Sequence, residues 1–502
     1  MSWPQVLLVA VLAVPALGAV TAALLSDRAA RLAATGFAAV TLVLTVLLGV
    51  SQDRAVGWFA YGGFTAEPIV PWTDVRTRWV PALGLEFHLG VDGLSYPLVV
   101  LTGLLTLLCC AYTVKRVPGG GSGRTLAALL LVLEVGVLGT FLSLDLVLFF
   151  IFFEVVLLPM YAVIAGWGGP ERRRAARKFV LYTLAGSVLL LLGVFSVVVA
   201  AGTGDILALA GGLGLSRNTQ YAAFALFAVA FAVKAPLWPL HTWLPDAHTE
   251  APTVGSVMLA GVLLKMGTYG LIRVGVGVAP AGAAWAAPVL GVLAVAAIIV
   301  GSLVCLRQTE LKRLIAYSSV GHMGFVLLGI ATLTVTGVQA ALIGNIAHGL
   351  ITGLLFFLAG AIKDRAHTGE LAGLGGLRES APRLAGLLGF AAVASLGLPG
   401  LAGFWGEAFA VVASVQRGGP LWNTLAVLAA LGGALTAAYF LRLLRRVTHG
   451  PAVTELTHPR VAGFEWAAWS PLVVLSLVVG LVPALVLAAT SDTVAALTGA
   501  LR

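Results

Sequence analysis

Titratable side chains occur at intervals inside the long apolar runs of this 502-residue chain. They form a row along the sequence: Glu154, Lys234, Lys265, His322, His348 and Glu407. A lysine at the centre of a membrane helix costs about 2.5 to 3.5 kcal/mol on insertion scales, so such groups are candidates for function. Burial moves the pKa values of carboxyl and amine groups toward neutrality, and imidazole already titrates there. The row therefore predicts a proton relay.

The same residues have structural interpretations that the sequence leaves open. Glu154 and Lys234 could form an ion pair that only joins helices, although desolvation makes buried pairs poor stabilisers. Lone histidines are often satisfied core residues. Among three auxiliary candidates, Glu134 could anchor helix packing, and His241 and His248 lie near span ends. The row contains no nucleophile–base–orienter set and no metal-ligand spacing, so we predict no catalytic, cofactor-binding or metal-binding residue.

Prolines interrupt two of the apolar runs next to these groups. Pro236 and Pro239 follow Lys234, and Pro236 removes a backbone donor and clashes with the preceding helical turn. Pro399 precedes Glu407 in the same way. Irregular backbone at membrane depth is tolerated where it is buried in protein or lines a water-filled cavity. We therefore expect helix breaks at these three prolines, beside an ion path.

The composition places these groups in a polytopic membrane protein. Hydrophobic residues make up 60% of the chain and charged residues 10%, with a mean hydropathy of +1.02. Soluble domains carry about 25% charged residues. All three cysteines lie in apolar segments and two are adjacent, so they indicate neither a disulfide framework nor a zinc site. The N-terminal segment lacks the basic region of a signal peptide and is interpreted as a retained first span.

Apolar runs of roughly 20 residues predict an all-α fold of about fourteen transmembrane helices. The runs cover residues 4–25, 31–50, 93–114, 125–143, 146–166, 179–201, 220–241, 253–277, 285–306, 311–331, 338–360, 384–414, 421–441 and 467–490. Spans 7 and 12 contain the proline breaks. Spans 4–8 and 9–13 make two sets of five, and an odd number forces the second set to enter from the opposite face. We therefore predict two inverted five-helix repeats, as in many transporters.

This pattern divides the chain into four parts. Residues 1–114 hold spans 1–3 and an extracytoplasmic aromatic hairpin segment. Residues 125–277 form the first repeat, the proton input half, and residues 285–446 form the second, the proton output half. Residues 447–502 hold span 14. An interfacial aromatic cover with a short hairpin around 85–89 is expected from Trp58, Phe59, Tyr61, Phe64, Trp72 and Trp79.

The distribution of lysine and arginine predicts the orientation. Most of the 30 basic residues fall in loops that follow odd-numbered spans, and basic loops stay in the cytoplasm. Both termini are therefore expected to be extracytoplasmic, in a multi-pass protein of the cell (inner or plasma) membrane. Because topology explains most of the net charge of +9, the lipid bilayer is an expected partner and nucleic acid is not. The connection after span 7 has no lysine or arginine and is expected to fold back into the protein.

Several motifs together resemble the antiporter-like, proton-pumping subunits of respiratory complex I. They are LGVDGLS (89–95), FFEVVLLPMYAVIAGWG (152–168), KAPLWPLHTWLPDAHTEAPTVGSVMLAGVLLKMGTYGLIR (234–273), LKRLIAYSSVGHMG (311–324), NIAHGLITGLLFFLAG (345–360) and LPGLAGFWGE (398–407). They cover most of spans 3 to 12. The Glu-x4-Pro-Met-Tyr form at 154–161 looks like the M branch of that family, chain 4 in mitochondria, rather than the L and N branches.

The resemblance implies a role for each position of the row. The matches are the ion pair of the input half-channel (Glu154 and Lys234), the central lysine (Lys265), the central link (His322 and His348) and the acid at the exit side (Glu407). NADH oxidation and quinone reduction occur in other subunits of the complex. The resemblance therefore implies no cofactor in this chain, with NADH, flavin, iron–sulfur clusters and quinone bound elsewhere. The implied partners are the neighbouring antiporter-like subunits L and N.

Two other functions stay open at this point. A subunit of a multisubunit sodium/proton antiporter would share the fold and the charges, and a membrane scaffold would carry the same helices with an inactive relay. The Pro-Met-Tyr motif and the Leu-Pro-Asp-Ala-His loop favour a translocating subunit of NADH-quinone oxidoreductase, coupled to electron transfer elsewhere in the complex. The intact row of charges argues against a scaffold.

Overall fold

The computed structural model describes residues 1–50, 69–80, 85–453 and 455–499, which are nearly all helical. Outside these ranges lie the aromatic residues Trp58, Phe59, Tyr61 and Phe64 of the expected cover. The first elements are two helices, a hairpin and five more helices: α1 (Trp3–Leu24), α2 (Asp27–Val50), β1 (Thr73–Val80), β2 (Leu85–Val91), α3 (Tyr96–Lys115), α4 (Gly123–Leu142), α5 (Leu146–Val155), α6 (Leu157–Trp167) and α7 (Arg172–Ala201). α5 and α6 together make span 5, with a break just before Pro159 that follows from the missing proline donor.

The second group of elements begins with the first broken span. It comprises α8 (Arg217–Lys234), α9 (Trp243–Glu250), α10 (Thr253–Met258) and α11 (Leu264–Gly270). Span 8 runs from α10 through α11, and two π-helical segments, Leu259–Leu263 and Leu271–Val276, flank α11. α9 is the connection expected to fold back into the protein, and most of its residues are buried. That expectation is confirmed.

The remaining helices complete the chain. They are α12 (Pro280–Arg307), α13 (Leu311–Ala331), α14 (Val335–Ala366), α15 (Leu377–Ser380), α16 (Pro382–Ala394), α17 (Ala402–Arg417), α18 (Gly419–Thr448), α19 (Gly463–Leu481) and α20 (Ala484–Gly499). Span 12 is split into α16 and α17, with Pro399 in the connection. The breaks predicted in spans 7 and 12 are thus both present.

Within the described residues, twelve helices are long and apolar enough to cross a membrane. They coincide with all predicted spans except 7 and 12, the two that are broken. The all-α polytopic fold with about fourteen spans is therefore confirmed. The inverted relation between the two sets of five helices stays a prediction.

The C-terminal region differs from the sequence prediction. Residues 467–490 were expected to form one span, but α19 ends at Leu481 and α20 begins at Ala484. The intervening residues are Val482 and Pro483, and proline is favoured in the first turn of a new helix rather than inside one. α20 packs back against the chain, where the Thr493 hydroxyl accepts a hydrogen bond from the Gly93 amide at 3.2 Å. The apolar run alone does not reveal this turn.

A two-stranded antiparallel hairpin lies between α2 and α3. β1 pairs with β2 in a register that places Arg76 opposite His88 and Arg78 opposite Glu86. The outer edge of β2 meets the connection before α5, where the Leu144 amide donates to the His88 carbonyl at 2.9 Å. The hairpin is therefore joined to the first five-helix set as well as to the N-terminal helices.

The centre of the molecule is formed by the helices that carry the titratable row. The apolar windows of spans 8 and 11 are 100% buried inside the chain, and that of α13 is 89% buried. By contrast, α2 and α7 are only one-third buried, 33% in each case, and expose apolar faces. Membrane helices that expose such faces contact lipid or neighbouring subunits, whereas the three central helices contact protein on every side.

Candidate functional site

Lys265 lies at the centre of the fold with its side chain fully buried. Its ammonium donates a hydrogen bond to the Ala260 carbonyl, five residues earlier in the π-helical segment, and Nζ lies 2.6 Å from Nδ1 of His348 on α14. A π-helical segment changes the i→i−4 ladder and is frequent at functional sites. The local backbone therefore supplies a second acceptor, beside His348, to a lysine buried in the membrane core.

A second close pair continues from His348. His348 and His322 on α13 have ring centres 5.9 Å apart. His322 Nδ1 then lies 2.6 Å from Oε1 of Glu407 on α17. Lys265, His348, His322 and Glu407 therefore form a continuous row of titratable side chains on four different helices. We call this set the central row.

The last members of the central row face a small cavity of about 20 Å³, which is room for about one water molecule. Its wall includes His322, His348, Ser395 and Glu407. Nε2 of each histidine and Oγ of Ser395 are buried without a hydrogen-bond partner among the described residues. Polar cavities of sufficient size hold ordered water in proteins, and water can bridge two imidazoles that do not touch.

The break in span 12 brings backbone close to Glu407. Gly397 has φ +68°, and a Cβ placed there would lie 2.9 Å from Oε2 of Glu407. Any other residue would be strained at this φ and would crowd the carboxylate. The sequence Leu398-Pro399-Gly400 thus ends one helix and leaves space for the acid on the next.

Glu154 and Lys234 occupy the first half of the chain without direct contact. Glu154 is partly exposed on α5 and accepts a hydrogen bond from the Ser187 hydroxyl on α7. Lys234 is the last residue of α8, is only 4% exposed, and its Nζ lies 4.6 Å from the centre of the Phe153 ring. No ion pair within 4.0 Å joins Glu154 to Lys234 in the described part of the chain. The two interact through space, since Glu154 is the carboxylate whose charge acts on Lys234.

The broken end of α8 is stabilised by side chains and close packing. Trp243 on α9 donates its indole N–H to the Val233 carbonyl at 3.0 Å. The amide of Leu237, after Pro236, donates to the Ala232 carbonyl at 2.9 Å. These contacts satisfy carbonyls that a helix end leaves without partners. A Cβ at Gly267, two residues beyond Lys265, would lie 2.7 Å from the Ala235 amide, so only glycine lets this end approach span 8 so closely.

The three auxiliary candidates lie in different surroundings. Glu134 on α4 is fully buried, and both of its carboxylate oxygens lack a hydrogen-bond partner among the described residues. His248 on α9 is fully buried and stacks on Phe356, with ring centres 4.4 Å apart. The His241 ring lies 6.1 Å from that of Tyr317. Direct hydrogen bonds do not connect any of the three to the central row within the described residues.

Sequence reasoning missed a buried ion pair at one end of span 8. Arg273 lies near the end of the predicted span 8, and its side chain is 1% exposed and binds both oxygens of Asp92, which is equally buried. Arg273 Nε also donates to the Tyr269 hydroxyl at 3.1 Å, and that hydroxyl donates to the Phe141 carbonyl at 2.9 Å. The motif LGVDGLS contains Asp92, but its arginine partner is 181 residues away.

The Asp92–Arg273 pair gives a stability prediction. Replacing Asp92 by alanine leaves the arginine buried without its counter-charge, which typically costs about 3 to 5 kcal/mol. We expect Asp92→Ala to lower the thermal midpoint or the assembled amount of the protein sharply. Asp364→Ala is the matched control, because Asp364 pairs with Arg116 on the surface at 2.9 Å and exposed pairs contribute only about 0 to 1 kcal/mol. Equal midpoints for the two variants would contradict this assignment.

The fold has broken membrane helices next to a buried row of titratable side chains. This combination is typical of membrane transporters of the antiporter kind. The comparisons agree. The chain belongs to the family described as NADH:quinone oxidoreductase/Mrp antiporter, transmembrane, whose model matches residues 143–435. The matched region contains the whole predicted row from Glu154 to Glu407.

Individual relatives show that, within this family, the chain is similar to the M branch, which is called chain 4 in some proteins. The chain is 41% identical to NADH-quinone oxidoreductase subunit M of Rhodobacter capsulatus, over 95% of this chain and 91% of that protein. It is 46% identical to an NAD(P)H-quinone oxidoreductase chain 4 of a Synechococcus species, over 75% of this chain and 72% of that protein. The resemblance to the M branch is confirmed.

Solved structures show the same fold. A chain in respiratory complex I from Thermus thermophilus superposes with a TM-score of 0.86 at 30% identity, covering 99% of both chains. A chain of the Mrp complex from a Dietzia species superposes with a TM-score of 0.83 at 26% identity, but only 52% of that chain is covered. The likeness to the complex I chain is therefore more complete.

Proposed function

We propose that this chain is a proton-translocating membrane-arm subunit of an NADH-quinone oxidoreductase. The observation that carries this proposal is the central row, in which Lys265, His348, His322 and Glu407 follow one another at hydrogen-bond or near-contact distance inside the fold. Each of these groups can hold or release a proton. A row of this kind supports proton transfer without any redox centre in the chain.

The predicted row of six titratable residues has a partly exposed acid at each end and buried lysines between them. Glu154 and Glu407 are partly exposed, whereas Lys234 and Lys265 are buried. A buried lysine is charged only when a counter-charge or hydrogen bonds stabilise it. Lys265 has two neutral partners, the Ala260 carbonyl and His348. Its charge state is therefore sensitive to the state of its neighbours, as a proton switch requires.

The two halves of the chain would then have different tasks. Residues 125–277 carry Glu154, Lys234 and Lys265 and would take protons up, and residues 285–446 carry His322, His348 and Glu407 and would release them. Glu154 acts on Lys234 through space, so a change in the charge of the acid would alter the proton affinity of the lysine. The breaks at Pro236, Pro239 and Pro399 would admit water beside the row.

The orientation of the chain follows from its basic loops. Arginine and lysine are concentrated on the side of the connections after odd-numbered spans, which supports a cytoplasmic position for those loops and an extracytoplasmic position for both termini and the hairpin. The protein would lie in the cell (inner or plasma) membrane. Its exposed apolar faces would contact lipid and the neighbouring antiporter-like subunits L and N.

Electron transfer would take place in other subunits. The three cysteines, Cys109, Cys110 and Cys305, are buried in membrane helices, and thiolate clusters are the usual ligands of iron–sulfur centres. Cys305 is far in sequence from the other two and lies on a different helix, α12. This supports the proposal that the chain binds no cofactor, with NADH, flavin, iron–sulfur clusters and quinone held elsewhere in the complex.

The likeness to the Mrp chain favours a second candidate, a subunit of a multisubunit sodium/proton antiporter. Isolation from native membranes in mild detergent, through a tag on this chain, separates the two candidates. We expect subunits that contain flavin and iron–sulfur clusters to co-purify, with NADH-dependent quinone reduction in the isolated assembly. An assembly that contains neither cofactor and exchanges sodium for protons would overturn the first proposal.

His348 offers a direct test of proton transfer through the central row. Glutamine in its place keeps a hydrogen-bond acceptor for Lys265 but cannot carry a proton. We expect His348→Gln to assemble normally and to lower proton pumping about tenfold or more, within the range assigned to positioned proton carriers. His449→Gln is the control, because His449 is exposed at the end of α18. Pumping by His348→Gln at the control rate would exclude His348 from the path.

A further inference from the structure

The hairpin carries a second group of titratable side chains, far in sequence from the central row. Glu86 and His88 lie two residues apart on β2, so their side chains share one face of the strand. Asp205 follows α7 and approaches the same face. One donor atom from each of the three residues lies within 4.8 Å of the other two. The convergence of an imidazole and two carboxylates is the chemistry of a divalent-cation site.

Two of these three ligands are buried, Asp205 held by backbone amides and His88 by the side chain of Asp74. Asp205 is 4% exposed, and its Oδ1 accepts the amides of Leu207 at 2.9 Å and Ala208 at 3.2 Å, which leaves Oδ2 directed at the hairpin. His88 is 2% exposed, and its Nε2 lies 3.1 Å from Oδ2 of Asp74. A carboxylate behind one ring nitrogen orients a histidine so that its other nitrogen can bind a metal.

The free nitrogen of His88 points into the cluster. Nδ1 lacks a hydrogen-bond partner among the described residues and lies 3.5 Å from Oδ2 of Asp205. That separation is long for a hydrogen bond, but it is close to the edge of a zinc tetrahedron, about 3.3 Å for bonds of 2.0 to 2.1 Å. Carboxylate oxygens of Asp205 and Asp74 thus place negative charge on either side of the His88 ring.

Arg76 on β1 occupies the same space. Its Nε contacts Oε2 of Glu86, and its Nη2 lies 3.0 Å from Oδ2 of Asp205. The guanidinium thus bridges two of the three ligands. Arg76 is 52% exposed, so its long side chain has solvent to turn into.

We propose that Glu86, His88 and Asp205 form a binding site for a divalent cation of the Zn²⁺ class, with Arg76 as an internal cation that the metal displaces. Water would supply the fourth ligand. The bound ion would join β2 to the connection after α7. That connection also pairs with the start of α5, the helix that carries Glu154. The backbone of Asp205 forms an antiparallel β-bridge with the backbone of Asp145, and the Leu146 amide donates to the Gly204 carbonyl at 2.8 Å. Metal binding would therefore stiffen the hairpin face of the first five-helix set.

Titration of the isolated assembly with Zn²⁺, in competition with a fluorescent chelator, tests the site. Other subunits of the assembly would also hold metal ions. Zinc binding to this site is therefore measured as the difference in zinc affinity between the native assembly and assemblies that carry one variant each. We expect His88→Gln and Asp205→Asn each to weaken binding of one Zn²⁺ equivalent about tenfold or more, as the loss of one ligand would. We expect Arg76→Gln to strengthen it by a similar factor, because the competing cation is gone.

Arg78→Gln is the matched control. It removes the same charge from the same strand, but Arg78 forms no ion pair with the three ligands in the described part of the chain. We expect its zinc affinity to change much less than that of Arg76→Gln, because Arg78 lies opposite Glu86 but is exposed, and screening weakens an exposed charge. Equal zinc affinity in all four variants would mean an adventitious ion only and would overturn the proposal. Weaker binding by Arg76→Gln would also overturn it, since the arginine would then support the metal instead of competing with it. If His88→Gln does not assemble, Asp205→Asn and Arg76→Gln still decide the question.

Discussion

Replacing Lys265 by methionine or by arginine is expected to block proton pumping while the protein assembles normally. Methionine matches the length of the lysine but cannot bind or release a proton. The substitution therefore removes the only member of the central row that lies on span 8. Arginine keeps the charge, but its pKa exceeds about 12, so it hardly releases a proton. If Lys265 hands protons to His348, 2.6 Å away, both variants should lose about tenfold or more of the pumping rate.

A purely structural role for Lys265 predicts the opposite pattern. Buried ionic groups can often be replaced by apolar groups of similar volume at little cost. Methionine would then leave the Ala260 carbonyl and Nδ1 of His348 without their partner, at a cost of about 1 to 3 kcal/mol for each buried group. The measurement is proton uptake by inverted membrane vesicles at matched amounts of assembled complex. Lys115→Met, at the exposed end of α3, is the control. A methionine variant at position 265 that pumps at the native ratio of protons to electrons would remove Lys265 from the mechanism.

The membrane spans and the breaks could be predicted because each has a local cause. Long apolar runs specify membrane helices, and Pro236 and Pro399 specify where two of them end. The turn at Val482 and Pro483 was missed because a proline near the end of an apolar run is compatible both with one bent helix and with two helices. Burial of α20 against α3 and α14 decides between them, and that is a tertiary effect.

The site shows the same division between local and distant causes. The row from Glu154 to Glu407 was recognisable because charges in apolar runs are conspicuous in sequence. The contacts within it were not, since Lys265 and His348 are 83 residues apart and His322 and Glu407 are 85 apart. The expected Glu154–Lys234 pair is an interaction through space, with Ser187 as the direct partner of the acid. Ser187 carries no sequence signal, because serine is common in membrane helices and its hydroxyl usually bonds within its own helix.

Arg273 shows how topology counting can hide a buried charge. An arginine at the end of an apolar run is normally assigned to the loop, where it costs nothing. Here Arg273 lies inside the predicted span 8, in the π-helical segment Leu271–Val276, and Asp92 supplies the counter-charge. A carboxylate inside an apolar motif was the one available signal, because Asp92 needs a cation nearby.

Glu154 gives the second large expected effect, and its variants separate charge from hydrogen bonding. Glu154→Ala removes the carboxylate that acts on Lys234. Without that counter-charge, burial alone acts on Lys234 and favours its neutral form. We expect an assembled complex whose quinone reduction and proton pumping are both reduced about tenfold or more. Normal coupled turnover by Glu154→Ala in membrane vesicles would refute this role.

Two conservative variants then identify what the acid contributes. Glu154→Gln keeps an acceptor for the Ser187 hydroxyl but loses the charge, so it should fail like alanine. Glu154→Asp keeps the charge and moves it back by one methylene, which matters little for two groups that are already more than 4.0 Å apart. Ser187→Ala, which removes the hydrogen bond alone, should retain most activity for the same reason.

An active glutamine variant would show that the hydrogen bond matters more than the charge. An aspartate variant as impaired as alanine would show that Lys234 requires a fixed contact, and the action through space would then be the wrong description of this pair.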